Sequence, residues 1–315
     1  MNILEKLPKP FFVLAPMDDV TDTVFRRIIA GTAAPDIFFT EFVNVDGLQS
    51  PGRAKLLPKL QFSETERPII AQIWGKIPNN YYKTTQDIVA MGYDAVDINM
   101  GCPDKAVVKN GCCSALIENR ELAAEILKAV KRGADGKIPV SVKTRVGFNS
   151  IDLTWIEFLL KQNIDMLTIH ARTKKEMSKV PAHWDLFTEI VALRDRIAPQ
   201  TKIVGNGDVL NKRQGIELAQ QYDLDGIMIG RGIFHDPYLF ADESPWLTMP
   251  KEQKIALYKK QVQLFADTWQ NNERRVATLN KFCKVYIQGF NGAKELREQL
   301  MNAKTTDELL ALLTA

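Results

Sequence analysis

Residues 94–105 read Asp94-Ala95-Val96-Asp97-Ile98-Asn99-Met100-Gly101-Cys102-Pro103-Asp104-Lys105. The run from Ala95 to Met100 is short, apolar and mostly compatible with a buried strand. It ends in an amide and a Gly-Cys-Pro turn, which sets one thiol, Cys102, just past the strand's carboxyl end. Gly101 can adopt backbone angles closed to other residues, and Pro103 fixes its own φ. In a parallel α/β protein that end of a strand carries the chemistry. A small cysteine buried at a strand end fits the motif alone equally well.

The same pattern recurs on both sides. Strand-like runs are read at 12–15, 37–42, 69–73, 95–100, 139–143, 166–170, 202–205 and 226–229. Helical patterns separate them at 22–29 (behind Thr21 as N-cap), 81–91, 118–130, 151–160, 184–193 and 215–221. Strand–helix alternation at this spacing means parallel strands joined by right-handed crossovers. Eight units predict an α/β chain closed as a (β/α)8 TIM barrel rather than an open sheet.

From about residue 245 no strand signal follows. Tyr258, Val262, Phe265 and Trp269 share one helical face, and further helices are expected at 276–286, 293–301 and 306–313. The expected organisation is a barrel catalytic domain over 1–243 and a small C-terminal helical bundle over 244–315, with Ser244-Pro245-Trp246 as linker. Tyr286 and Phe290 are read as bundle core.

Composition narrows the classes. The 315 residues are 45% hydrophobic and 25% charged, ordinary for a protein with a large core. No apolar run approaches the roughly 20 residues of a membrane span, and the N-terminus lacks a secretory layout. The four cysteines suggest no disulfide framework and, with the acids and histidines, no metal-ligand spacing. A reducing cytoplasm is the expected location, without metal or membrane. Net charge is only +3, but residues 245–315 carry eleven Lys and Arg against seven Asp and Glu. That excess suits either a solvated helical face or contact with a polyanion.

A barrel gathers its strand ends at one mouth. There the sequence places Ala15-Pro16-Met17, Glu41, Gln72, Asn99 with Cys102, Lys143 with Arg145, His170 with Arg172, Asn206-Gly207-Asp208 and Gly230-Arg231. Taken singly, Gln72 could satisfy buried backbone, Lys143 could sit in an internal ion pair, and His170 could be a packed core histidine. Together they suggest a phosphate held by the glycine-rich ends of the last two strands, with Arg231 forking onto it. A cation, an amide and a phosphate grip spread over several strands suit FMN, a flat heterocycle with a phosphate tail. Nothing resembles the G-x-G-x-x-G of a dinucleotide fold.

The sequence resembles the bacterial tRNA-dihydrouridine synthases over nearly its whole length. The resemblance is carried by Ala-Pro-Met at 15–17, Thr-Glu-Phe at 40–42, Gln72, Asp-Ile-Asn-Met-Gly-Cys-Pro at 97–103 and Gly-Cys-Cys-Ser-Ala-Leu at 111–116. It continues with Val-Lys-Thr-Arg at 142–145, His-Ala-Arg-Thr at 170–173, Gly-Asn-Gly-Asp at 205–208 and Ile-Gly-Arg-Gly at 229–232. It implies an FMN-binding barrel followed by a helical tRNA-binding domain. The implied reaction reduces the C5=C6 bond of a D-loop uridine: NADPH reduces FMN, hydride passes from N5 to C6, and Cys102 protonates C5.

The resemblance also implies roles for residues. The cofactor set is Ala15, Pro16, Met17, Gln72, Lys143, His170, Asn206, Gly207, Asp208, Gly230 and Arg231. The substrate set is Glu41, Asn99 at the uracil edge, Arg172, and the basic Lys281, Lys284 and Arg297, with Arg274 and Arg275 as further cations. Cys112 and Cys113 receive no role. The chain departs from the family over 174–180, Lys-Lys-Glu-Met-Ser-Lys-Val, which leaves the part played by Lys179 open. A monomer is expected. Two other readings are an FMN barrel acting on a free small molecule, as in dihydroorotate dehydrogenases, and a non-catalytic RNA-binding barrel.

Overall fold

The computed structural model describes residues 3–271 and 273–314. Nine parallel strands form one sheet: β1 (Phe11–Leu14), β2 (Phe38–Phe39), β3 (Val43–Asn44), β4 (Ile69–Trp74), β5 (Ala95–Met100), β6 (Val140–Arg145), β7 (Met166–His170), β8 (Lys202–Asn206) and β9 (Gly226–Ile229). Each from β4 to β9 pairs with the next, and β9 pairs with β1. The ring closes where Leu14 N donates to Ile37 O at 3.1 Å, just before β2. β2 and β3 both pair with β4, so they act as one interrupted stave of an eight-fold barrel.

The expected continuous strand over 37–42 is therefore broken. At the break the Thr40 hydroxyl donates to Glu41 O at 2.7 Å and accepts from Gln72 N at 3.1 Å. A side chain thus replaces the ladder contact, and the chain bends at the mouth. The expected cap also moves by one residue. Asp22, not Thr21, caps the helix Thr23–Thr32 by accepting from Phe25 N, while Thr21 Oγ1 accepts from Met17 N at 2.9 Å.

Alternation along each strand divides the core in two. Phe11, Val13, Phe39, Ile70, Ala95, Met166, Val204 and Met228 fill the barrel interior, joined by Leu4 beside the start of β1. The intervening residues, such as Phe12, Leu14, Val96, Ile98 and Ile169, pack outward against the helices. The helix Pro78–Ala90 starts on a proline, and Arg120–Ala134 is capped by Asn119. They can touch because Gly133 has no side chain; a Cβ there would lie 2.6 Å from Tyr82 O.

The chain ends in helices Lys251–Thr268, Asn280–Tyr286, Ala293–Asn302 and Thr306–Leu312. Their aromatics belong to the same buried cluster as the outer barrel layer. Phe282 stacks on Phe25 with centroids 4.9 Å apart, and Tyr258 stacks on Tyr286 at 5.3 Å. The segment 244–246, expected as a linker, is packed at its end. Trp246 is buried and lies 6.4 Å from the Tyr238 ring and 6.1 Å from Tyr286. Phe290 packs against the cluster half-buried. No helix among the described residues is long and apolar enough to cross a membrane.

Candidate active site

The period of two that fills the lower barrel with apolar side chains puts polar ones above them. Strand register sets Asn99 beside Lys143, Arg145 beside His170, and His170 beside Asn206. Above this layer opens a cavity of about 550 Å³. Ten of the eleven residues read as cofactor ligands line it: Ala15, Pro16, Met17, Lys143, His170, Asn206, Gly207, Asp208, Gly230 and Arg231. Arg172 lines it too, as does Gly232 of the Ile-Gly-Arg-Gly run, together with Val209, Leu210, Met228 and His235, which sequence reading did not single out. Met228 was signalled, since it lies two residues before Gly230 on the inward face of β9. Gln72 is absent from the lining; it is fully buried one layer down.

One end of the cavity is built to receive an anion. Gly207 lines the cavity with φ +142°, and a Cβ there would strike Ala182 at 2.7 Å, so this turn admits only glycine. Gly230 precedes the turn Arg231–Phe234, whose first N–H groups have no intrahelical acceptors. The Arg231 side chain is largely exposed and lies 3.8 Å from Asp208 Oδ1. Asp208 is already committed elsewhere, accepting from Arg172 Nη2 and, at 3.0 Å, from Ala182 N. Burial works against its charge, but these hydrogen bonds hold its carboxyl below the usual range.

Lys143 is the most telling side chain. It lines the cavity and makes no hydrogen bond or salt bridge to any described residue. Burial pulls its ammonium down to about 8, with Arg145 adding to the shift and Asp97 opposing it. His170 is driven far below its ordinary value by burial and by Arg145, Lys143, Arg172 and Arg231, so it is neutral. Arg172 Nη1 sits 3.2 Å from His170 Nε2, which makes Nε2 the acceptor and leaves the proton on Nδ1. A cavity lined by an unpaired ammonium, two guanidinium groups and a neutral imidazole suits an anionic ligand.

A chain of buried amides and acids holds the Cys102 turn. Asn99 Oδ1 accepts from both Gly101 N and Cys102 N at 3.0 Å. Asn99 Nδ2 donates to Gln72 Oε1 at 3.0 Å, and Gln72 Nε2 to Asp97 Oδ2 at 2.8 Å. Ser141 Oγ donates to the other Asp97 oxygen at 2.6 Å. Burial pushes Asp97 up to about 7 against the pull of these donors. From β6, Arg145 Nε grips Gly101 O at 2.8 Å, while its Nη1 holds Thr173 O and Met177 O, each at 3.0 Å. The Cys102 loop and the loop after β7 are thus pinned to one guanidinium.

Cys102 itself is half-buried. Hydrogen bonding with the Cys113 thiol lowers it to about 7; burial opposes this, and the Asp104 N–H and Arg145 assist. Lys143 links the thiol to the cavity, since it lines the one and is in the field of the other.

The residues read as substrate contacts fall into different settings. Glu41 is fully buried, accepting from Arg274 through both oxygens and from Asp19 N at 2.8 Å. Lys281 Nζ donates to Asp19 O at 2.6 Å, and Arg297 Nη1 to Ile287 O at 2.6 Å. Lys284 and Arg275 are exposed, with no side-chain polar partner among the described residues. On the opposite rim Lys174 covers the Phe148 ring at 4.6 Å, and Lys179 is exposed. Asp18, Asp19 and Glu41 form the acidic trio found among the described residues, but Glu41 is paired with Arg274 and Asp18 with Lys59.

Comparison with known proteins bears on this geometry. The family profile for dihydrouridine synthase matches residues 13–315. The chain is 46% identical to a Bacillus subtilis protein named "Probable tRNA-dihydrouridine synthase 2", covering 99% of this chain and 95% of that one. It is 45% identical to a "Probable tRNA-dihydrouridine synthase" of Staphylococcus aureus, covering 99% and 94%. A solved morphinone reductase in complex with tetrahydroNAD shares the fold at 13% identity with a TM-score of 0.52, covering 77% of this chain and 90% of that one.

Proposed function

The chain belongs to the dihydrouridine synthase family, and on that premise we propose how its barrel mouth reduces a D-loop uridine of tRNA to 5,6-dihydrouridine. It is a tRNA-dihydrouridine synthase. The observation that supports the cofactor assignment is the unpaired Lys143 side chain lining a cavity that Gly207, Gly230 and Arg231 also line.

These residues fit FMN. Gly207, Gly230 and Arg231 would hold the phosphate, Asn206 and Asp208 the ribityl chain, and Ala15, Pro16 and Met17 the ring. Lys143 and neutral His170 would contact the polar part of the ring. When bound there, FMN would supply the hydride chemistry for the uracil C6, with NADPH as reductant. The protein's part is the proton: Cys102 gives its S–H proton to C5. Asn99 and Arg145 hold the turn that aims the thiol, Asn99 through the N–H groups of Gly101 and Cys102. Gln72 supports the site from below by fixing Asn99.

The uridine must leave the tRNA body to reach the mouth. Residues 244–315 serve as the RNA-side unit, with Lys284 and Arg275 as exposed phosphate contacts and Lys281 and Arg297 beside them. Lys179 on the opposite rim suits the same backbone. This activity places the protein with tRNA in the cytoplasm.

Arg231→Ala is expected to weaken FMN retention roughly tenfold, because a charged phosphate partner is lost. Flavin occupancy after gel filtration reads this, and unchanged occupancy counts against the phosphate position. Affinity for tRNA is expected to fall linearly on a log–log plot against salt, by roughly 0.7–0.9 per phosphate contact. A flat response in a filter-binding titration would exclude docking on the RNA backbone. Mapping dihydrouridine in tRNA from a strain lacking the gene, with and without complementation, tests the whole assignment.

A further inference from the structure

Between the apolar lower barrel and the cavity, three polar side chains stand abreast. Strand register sets Gln72 beside Asp97 and Asp97 beside Ser141, on β4, β5 and β6. All three are fully buried. Asp97 makes no salt bridge among the described residues. A carboxylate buried without a cation is costly, so the donors it accepts from must account for its place.

The hydrogen bonds of this layer run in a single sense. Two fixed donors stand at the upper end, the backbone N–H groups of Gly101 and Cys102, each 3.0 Å from Asn99 Oδ1. They require oxygen at that end of the amide, which turns Asn99 Nδ2 toward Gln72. Gln72 meets it with Oε1 at 3.0 Å, which turns Gln72 Nε2 toward Asp97. At the lower end Asp97 Oδ2 accepts from that Nε2 at 2.8 Å, and Oδ1 accepts from Ser141 Oγ at 2.6 Å. An ionised carboxylate only accepts, whereas an amide can turn over and present NH2 in place of oxygen. Without the acceptor below, nothing on that side opposes a turned Gln72, and a turned Gln72 would face Asn99 with a second donor.

Resting on the reading of Cys102 as proton donor, we propose that Asp97 is a positioning residue for the reaction: through Gln72 and then Asn99 it fixes the sense of the hydrogen bonds that hold the Cys102 turn. Asp97 does not line the cavity. It exchanges no proton in the step and reaches Cys102 only through the two amides.

Two variants separate this role from bulk stability. Asp97→Val removes the acceptor with a side chain suited to a buried strand. Asp97→Asn keeps an oxygen for Gln72 Nε2 and turns its NH2 to Ser141 Oγ, whose proton can pass to Val96 O at 3.5 Å. The first readout is amide hydrogen exchange at Gly101 and Cys102 in the full-length, flavin-loaded protein. Exchange there is expected to speed up about tenfold in Asp97→Val and less than about twofold in Asp97→Asn. The second readout is single-turnover uridine reduction by pre-reduced holoenzyme. Its rate should fall about tenfold or more in Asp97→Val, because a displaced acid loses its alignment, while flavin reduction by NADPH stays within about twofold. Added to Cys102→Ala, Asp97→Val should cost little more, since it acts through the missing thiol.

Unchanged exchange at Gly101 and Cys102 in Asp97→Val overturns the proposal, whatever Cys102→Ala does to turnover. Equal acceleration in Asp97→Asn overturns it too, as does a further loss of about tenfold when Asp97→Val is added to Cys102→Ala. Near-normal turnover in Cys102→Ala instead brings down the underlying reading, and the proposal with it. Should Asp97→Val fail to fold, Gln72→Met cuts the same chain one link higher and carries the same expectation for exchange.

Discussion

Cys102→Ala is expected to slow dihydrouridine formation by about 10²–10⁴-fold, the usual worth of a positioned general acid. FMN should stay bound, because the residues lining the cavity do not include Cys102. The fold should stay intact, because the residue is only half-buried and its turn is held by backbone contacts to Asn99 and Arg145. Single-turnover reduction with a pre-reduced holoenzyme isolates the step. The wild-type rate has a sign in pH. A thiol lowered to about 7 must be protonated to act, so the rate falls as pH rises through that value. The alanine variant should lose that limb along with its rate. Turnover within a few-fold of wild type would exclude Cys102 as the acid.

Arg274→Ala is expected to cost about 3–5 kcal/mol of stability, since it strands a buried carboxylate. Glu41 is fully buried and the Arg274 side chain nearly so, with their pairing side chain to side chain across the join of barrel and helices. Arg274 also lies over the Trp269 ring at 5.5 Å, and this contact is lost with it. A chain of this size should lose roughly 5–8 °C in thermal midpoint. The double variant Glu41→Gln with Arg274→Met should recover a large part, because a neutral amide carries no buried charge. A midpoint change below about 2 °C for Arg274→Ala would show that the pair contributes little. The same variant should raise the KM for tRNA with flavin occupancy unchanged, because the pair ties the C-terminal segment proposed to bind RNA to the barrel.

The packing also decides which experiment can test the proposed RNA contact of the C-terminal helices. Phe282 stacks on Phe25, and Tyr258 and Tyr286 share the outer core of the barrel. Removing residues 245–315 would uncover that core, so truncation cannot report on RNA binding alone. Substitution of the exposed Lys284 and Arg275 can.

Much of the mouth is readable before folding because it follows from local rules. A strand's side chains alternate, its last residues face the barrel's carboxyl end, and glycines mark close approach. Those rules bring Lys143, His170, Asn206 and Gly230 together without knowledge of any distant contact. They fail at 37–42, where the Thr40 hydroxyl takes over a ladder position, and at 244–246, where Trp246 is drawn into a cluster of aromatics. Both outcomes depend on partners that no local window contains.

Charge is where reading along the chain stops short. Arg274 and Lys281 have the composition of an RNA-facing surface, yet they spend their donors on Glu41 and Asp19, more than 200 positions away. Gln72 and Asn99 read as ligand-binding amides, and in the fold they bond each other, with Asn99 also holding the Cys102 turn. The pattern of residues settles which groups reach the mouth, since periodicity is a property of neighbours. Which of them remain free for a ligand is settled by through-space pairing, which depends on where the whole chain brings each donor and acceptor to rest.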